Sequence, residues 1–497
     1  MNSRKATSQN FKNHGALTRR FDAQQIDYFS SGPHLRSMKV ATLSSSEHEM
    51  NTQKPQTPSE TEHEHERKVR ILFISSCAFL IAIASVVVAR VLLTMISACT
   101  NFFYFGQFSL HESHPENTWG ALSIFVPVVG GFIVGIMARF GSPAIRGHGI
   151  PEAMENILTK HSRIPKRLAI LKPLSAAVAI GSGGPFGAEG PIIATGGAIG
   201  SIFGQVLTVT NYERKVLLAC GAAAGMAAIF GTPFSAVLLA IELLLFEFRA
   251  KSFAPVVLAA TTATTFRYAF VDSQPFFMMP TIQPPDLRSF ACYILFGLMI
   301  GVIAVIVTKS IYWVEDMFEK LPVHWMWWPA IGGLGVGLIG LFEPRTLGVG
   351  YNNITDALSG NLTIELALAL VVLKFASWAI ALGSGTSGGT LAPILTFGSC
   401  LGFVMGSILN INFPELHIDP HVMALIGMAA LFAGTSKALL TSVLFAFEAS
   451  RQSAGLVPLL GCSVTAYLVA SLLMRNSIMT EKIVRRGLHV PHEYFPT

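Results

Sequence analysis

Residues 181–193, GSGGPFGAEGPII, and residues 383–395, GSGTSGGTLAPIL, are two versions of one pattern: Gly-Ser-Gly, three residues, Gly, three residues, Pro-Ile. They start 202 positions apart (383 − 181), and the offset recurs downstream, where Gly225-Met226-Ala227-Ala228 is echoed by Gly427-Met428-Ala429-Ala430. Each echo is followed by an apolar run carrying one acid, Glu242 in the first and Glu448 in the second. The chain is therefore an internal duplication. Among the differences between its glycine-rich copies, the one that changes charge is Glu189 in the first against Leu391 in the second.

Composition says where the duplication sits. Only 13% of the 497 residues are charged and 51% are hydrophobic, whereas roughly 25% charge is usual in soluble domains; the mean hydropathy is +0.53. Apolar stretches near the ~20 residues a spanning helix needs occur at Ile71–Thr94, Ala121–Ala138, Ser289–Val307, Leu366–Leu382 and Leu456–Met474. Between them lie runs broken by Gly and Pro, namely Leu168–Ile180, Pro191–Gly204, Lys215–Phe230 and Leu391–Gly402, which look too short to cross cleanly. Broken helices are tolerated at membrane depth only where protein or a water-filled path surrounds them. Matched interruptions in two halves point to a transport site.

The expected architecture is an all-α polytopic membrane domain over residues 70–487, with a first half of about 70–272 and a second of about 286–487. Residues 1–69 read as a polar, disordered tail without a signal-peptide core, in which Met38 and Met50 offer alternative starts, and 488–497 as a short C-terminal tail. The formal charge of +6 would suggest nucleic acid in a soluble protein. Here the cations lie in short loops (Arg139 and Arg146; Lys160, Arg163, Lys166 and Arg167; Arg214 and Lys215; Arg249 and Lys251), the habit of cytoplasmic loops. The bilayer is the expected partner and nucleic acid is not. Six cysteines, scattered singly without metal-ligand spacing, read as small buried hydrophobes.

In Gly187-Ala188-Glu189-Gly190-Pro191 a carboxylate precedes Gly and then Pro, a residue favoured at the first position of a helix. Glu189 is thus expected at a helix N-terminus inside the membrane, where free N–H groups and the helix dipole bind anions. A carboxylate that can occupy such a site and leave it is a gate; the plainer reading is an acid that stabilises its own helix. Ionisable groups inside membranes are costly and usually functional, which favours the gate. Two further helix starts match it: Gly389-Thr390-Leu391-Ala392-Pro393, without an acid, and Gly147-His148-Gly149-Ile150-Pro151-Glu152. Three such turns can aim N–H groups at one point, stabilising a desolvated anion without a fixed full charge.

These segments resemble the CLC family of chloride channels and proton-coupled chloride exchangers, whose signatures are GSGIP, GxEGP and GxFxP, over essentially the whole of residues 70–487. The resemblance implies the CLC fold with halves of inverted topology, a homodimer with one anion pathway per subunit, chloride as the transported ligand, and no cofactor or enzymatic activity. Departures bear on mechanism. His148 stands at the position of an anion-coordinating serine; an imidazole can donate to an anion or simply pack. Leu391 replaces the usual phenylalanine, and Met479, in Ser477-Ile478-Met479-Thr480-Glu481-Lys482, replaces a tyrosine that serves as inner gate and anion ligand. In the run VLLAIEL, Glu242 falls at a structural acid and Leu243 at the intracellular proton-transfer glutamate. Leucine relays no proton, which favours a channel-like pathway gated by Glu189 and without obligatory coupling. Proton-coupled exchange by another route is the alternative.

Three other readings are weaker. Gly385-Thr386-Ser387-Gly388-Gly389 satisfies GxSxG, so an intramembrane serine protease using Ser387 is conceivable, yet the segment is duplicated at 181–187 with Pro185 in the matching place. Cation transport lacks a second acid beside Glu189 to build an oxygen cage. Lys374, a charge inside an apolar span, is expected to snorkel or to pair with Glu365 or Asp356 rather than to bind a second anion. Glu448 is expected to be a structural twin of Glu242.

Overall fold

The computed structural model describes residues 60–490, and these are helical almost throughout. Eight helices form the first half: α1 (Glu60–Thr100), α2 (Phe125–Ile136), α3 (Ile150–Thr159), α4 (Leu168–Gly181), α5 (Glu189–Val206), α6 (Asn211–Phe230), α7 (Pro233–Leu239) and α8 (Ala250–Phe270). Eight form the second: α9 (Leu287–Glu319), α10 (Trp328–Phe342), α11 (Tyr351–Ser359), α12 (Ile364–Gly383), α13 (Leu391–Asn412), α14 (Pro420–Ser436), α15 (Leu439–Ser450) and α16 (Leu456–Leu473); α17 (Glu481–Arg485) closes the described chain. The order matches element by element, so the sequence repeat is a repeat of structure.

Seven helical stretches among the described residues are long and apolar enough to cross a membrane. They include the five expected from composition and add Trp325–Phe342 and Leu391–Asn412. The second of these runs past the Gly402 at which its apolar pattern breaks, because its Gly and Ser positions face other helices and not a turn. The first boundary also moves. The first helix spans Glu60–Thr100 and so begins ahead of the expected boundary at Arg70. Expectations for residues 1–59 and 491–497 fall outside the described residues.

Small residues set the packing. In lipid, helices associate by close van der Waals contact at Gly and Ala, since lipid tails are as apolar as the side chains. A Cβ on Gly221 would strike the Gly196 carbonyl group, its carbon only 2.7 Å away, and one on Gly196 would strike that of Gly221, so α5 and α6 cross with their backbones touching. The second half repeats the device between α13 and α14, where Gly398 and Gly427 meet backbone to backbone. All of α6 from Val216 to Phe230 and of α14 from Val422 to Ser436 is buried. These two helices are the inner walls against which α5 and α13 cross.

Two reciprocal ties hold the halves together. Glu242, in the π-helical turn Ala240–Leu245 that follows α7, accepts from the backbone N–H groups of Leu440 and Thr441 at 3.2 and 3.0 Å, and from the Thr441 hydroxyl at 2.6 Å, at the start of α15. Glu448, on α15, accepts from the N–H groups of Phe234 and Ser235 at 3.0 and 2.8 Å, at the start of α7. Each acid caps the other half's helix, satisfying orphan N–H groups and the dipole. The expected twinning of Glu242 and Glu448 is therefore a physical exchange of caps.

Gly221→Ala is expected to push α5 from α6 and cost about 2 kcal/mol, as overpacking of a close backbone contact does. Gly197→Ala, whose Cβ meets Leu218 at an ordinary 3.4 Å, should leave the thermal midpoint in detergent unchanged; equal losses in the two variants would contradict the assigned crossing.

Candidate functional site

The three glycine turns meet. Gly187 and Gly389 are equivalent residues of the repeat, and they exchange both backbone hydrogen bonds, Gly187 N–H to Gly389 O at 3.3 Å and Gly389 N–H to Gly187 O at 3.0 Å. A residue paired antiparallel with its own counterpart lies on a two-fold axis between the halves. Beside it, Gly147 N–H donates to Thr386 O at 3.2 Å and Gly388 N–H to Gly147 O at 3.4 Å. Gly190 packs on His148 O and lies against Gly389 Cα, with Gly149 on its other side, where no Cβ would fit. Gly147 and Gly149 have φ of +94° and +93°, a conformation open to glycine.

From this centre α5 starts at Glu189 and α13 at Leu391, while α3 starts at Ile150 with Pro151 in its first turn. Pro191 and Pro393 occupy the corresponding first-turn positions of α5 and α13. The expected helix N-termini are thus brought to one place. Ala188, Ile150 and Ala392 are wholly buried there, and Leu391 and Thr390 almost so.

Glu189 is fully buried. Its Oε1 accepts a 2.8 Å hydrogen bond from the Tyr351 hydroxyl, while the carboxylate faces the backbone N–H groups of Glu189 itself and of Ala392. It lies where Gly187 and Gly389 lack side chains, with Oε2 3.0 Å from the Cβ position of Gly389. The carboxylate therefore occupies the junction of α5 and α13. Among the described residues, Glu189 Oε2, His148 Nδ1 and Thr390 Oγ1 are buried without a hydrogen-bond partner. Buried polar atoms are almost always paired, and these three all belong to the glycine-turn segments that meet here.

The turn around His148 is held from below. Gly149 N–H donates to Glu152 Oε2 at 2.7 Å, and Lys482 Nζ reaches Glu152 Oε1 at 3.0 Å. Lys172 donates to the carbonyls of Ile145 and Gly147 at 2.8 and 2.7 Å. Arg486 pairs with Glu155 on the same helix. Met479 is wholly buried just before α17, its N–H bonded to Ser477 Oγ at 3.2 Å. No hydrogen bond or ring contact joins it to Glu189 or His148 among those the structure holds, so its part in an anion path rests on its place in the motif.

Lys374 departs from expectation. It is fully buried and donates to the carbonyls of Thr346 and Gly348, both at 2.9 Å, and so neither snorkels nor pairs with Glu365 or Asp356; Asp356 binds Arg345 instead. Lys172 and Lys374 stand 202 apart (374 − 172) and perform the same task in each half. Recognising that repeat would have found Lys172, and it also exposes a fourth turn. Gly348-Val349-Gly350-Tyr351 lies 201 positions after Gly147-His148-Gly149-Ile150 (348 − 147), and Gly348 and Gly350 again have positive φ. Tyr351 was hidden in that second copy.

Ser387 is buried and its Oγ is bonded to the Ser175 hydroxyl at 3.0 Å, not to a base. Glu242 and Leu243 line a cavity of about 670 Å³ together with Lys437, Arg475, Ser477 and Thr480. Both oxygens of Glu242 are already bonded to the start of α15.

This is the architecture of a polytopic carrier or channel with two related, broken-helix halves. The profile of the voltage gated chloride channel family matches residues 129–471, and the chain belongs to that family. It is 32% identical to the H(+)/Cl(-) exchange transporter ClcA of Vibrio campbellii over 361 residues, covering 70% of this chain and 76% of that one. It is 30% identical to the chloride channel protein CLC-f of Arabidopsis thaliana over 71% of this chain and 48% of that one. The fold superposes on the crystal structure of a slow cyanobacterial Cl⁻/H⁺ antiporter with a TM-score of 0.73 at 25% identity, covering 82% of this chain and 98% of that one. The protein is a multi-pass membrane protein of this family.

Lys482→Met should lower the thermal midpoint of the detergent-solubilised protein, at a cost of about 2 kcal/mol. That is less than the full cost of breaking a buried ion pair, because Lys172 still faces Glu152. Adding Glu152→Gln should recover part of the loss, and an additive double variant would contradict the pairing.

Proposed function

We propose that the chain carries chloride across a membrane, most simply a bacterial inner membrane, in exchange for protons, as a homodimer with one pathway in each subunit. The observation that carries this reading is the Glu189 carboxylate seated between the starts of α5 and α13 with one oxygen unpaired. Chloride and carboxylate are both stabilised by helix N-terminal N–H groups, so they compete for one site. Protonation removes the carboxylate's charge and with it the advantage of remaining there. Chloride can then enter, and a proton has moved with the gate.

Exchange is preferred to the channel-like reading that Leu243 and Met479 suggest, because relatives of ClcA type are named as exchangers and the superposed cyanobacterial protein as an antiporter. Leu243 supplies no acid for an inner relay, and Glu242 is committed to capping α15. Protons are then carried to the centre by water entering through the cavity beside Leu243. His148, buried with Nδ1 unpaired, is assigned to the central anion, to which that nitrogen in its protonated tautomer can donate.

In liposomes under a chloride gradient, with voltage clamped by potassium and valinomycin, chloride movement should drive protons uphill. Glu189→Gln should abolish the proton movement while chloride continues to pass. Chloride flux without any uphill proton movement in the parent protein would instead establish the channel-like pathway.

His148→Ser should change the ranking of chloride, bromide, nitrate and thiocyanate in the same vesicles. An unchanged ranking would return His148 to packing.

A further inference from the structure

We infer that Tyr351 is the latch of the gate: its hydroxyl holds the Glu189 carboxylate in the anion site, and releasing that one hydrogen bond is part of every opening. The inference rests on the reading of Glu189 as gate. It begins with the geometry, a 2.8 Å bond from the Tyr351 hydroxyl to Oε1, which is the side-chain hydrogen bond that Glu189 makes. The other oxygen is unpaired, so the seated carboxylate depends on this donor and on backbone N–H groups alone.

The fold aims the tyrosine with some care. Gly350, at φ +75°, turns the chain into α11, and Tyr351 is its first residue. Lys374 fixes the preceding turn through the carbonyls of Thr346 and Gly348. The ring is boxed edge-to-face by Phe230 at 5.9 Å, Phe276 at 5.1 Å and Phe277 at 6.4 Å. Such contacts orient a ring as well as burying it. Only the hydroxyl is left to the site, facing Glu189 and the Ala188 backbone N–H.

Symmetry isolates what is special here. Tyr351 is the repeat equivalent of Ile150, which is buried and apolar beneath the same centre. Both turns are stapled by an equivalent lysine, yet only the second carries a hydroxyl to its first helical residue. A structural requirement of the turn would be met by Ile in both halves. Tyr351 is half-buried, and its hydroxyl is spent on the Glu189 carboxylate.

The test is chloride flux from liposomes as a function of chloride concentration for the parent, Tyr351→Phe, Glu189→Gln and the double variant. Phenylalanine keeps the ring in its aromatic box and removes only the donor. Because chloride and carboxylate compete for the site, Tyr351→Phe should raise the maximal rate and lower the half-saturating chloride concentration. The change should be about tenfold, the size expected for one hydrogen bond to a charged group. In the Glu189→Gln background the same substitution should change neither quantity.

Parent-like flux and half-saturation in Tyr351→Phe, with a parent-like thermal midpoint, would overturn the latch. So would an equal change with and without the Glu189 carboxylate, since that would place Tyr351 in the anion's path and not on the gate. If Glu189→Gln alone behaves as the parent, the gate reading falls whatever Tyr351 does. If Glu189→Gln is altered and Tyr351→Phe is silent, the gate stands and only the latch is lost.

Discussion

Everything in this molecule depends on the pair of backbone hydrogen bonds between Gly187 and Gly389. An anion held by helix N-termini in a low-dielectric interior needs its N–H donors fixed in place, because each is only a partial charge and must be aimed to count. Yet the segments that carry those donors are non-helical, and non-helical backbone at membrane depth leaves polar groups that lipid cannot satisfy. Letting the two copies of the turn satisfy each other solves both problems together. The cross-links at Gly147, Thr386 and Gly388 extend the pairing to the third turn.

Glycine permits that approach, but lysine secures it. The positive-φ turns at Gly147 and Gly348 direct carbonyls away from any helix ladder, and unsatisfied carbonyls in an apolar interior cost several kcal/mol each. Lys172 and Lys374 each donate to two of them. A buried ammonium is itself expensive, and two carbonyl dipoles offset part of that cost for each lysine. The first has Glu152 and Lys482 nearby as well, whereas among the described residues the second makes its hydrogen bonds to the two carbonyls. The staple is thus a common solution applied in two different electrostatic settings.

The duplication, the helix starts at Glu189 and Leu391, and the twin roles of Glu242 and Glu448 were legible because they rest on local rules: period, Pro in a first turn, an acid near a helix start. What escaped was set by partners far along the chain. Lys374 was expected to snorkel or to pair with Glu365 or Asp356 because its true partners are backbone carbonyls, which a sequence does not display. Tyr351 escaped because GVGY and GHGI share two glycines and no signature residue. The full length of α13 was obscured by Gly402, which read as a break and is in fact a point where α13 touches α14.

A strictly two-fold protein would present the same chemistry from both sides of the site and so could hold an anion without controlling it. Here the scaffold is symmetric in its glycines, lysines and reciprocal acid caps, and asymmetric at three equivalent pairs: Glu189 against Leu391, His148 against Val349, and Tyr351 against Ile150. The asymmetric members are polar and all lie at the centre, two of them joined by a hydrogen bond. Duplication supplies two sets of helix N-termini aimed at one point. Divergence at these few side chains then decides which of them an acid may occupy, which an imidazole faces, and from which side a hydroxyl holds the acid in place.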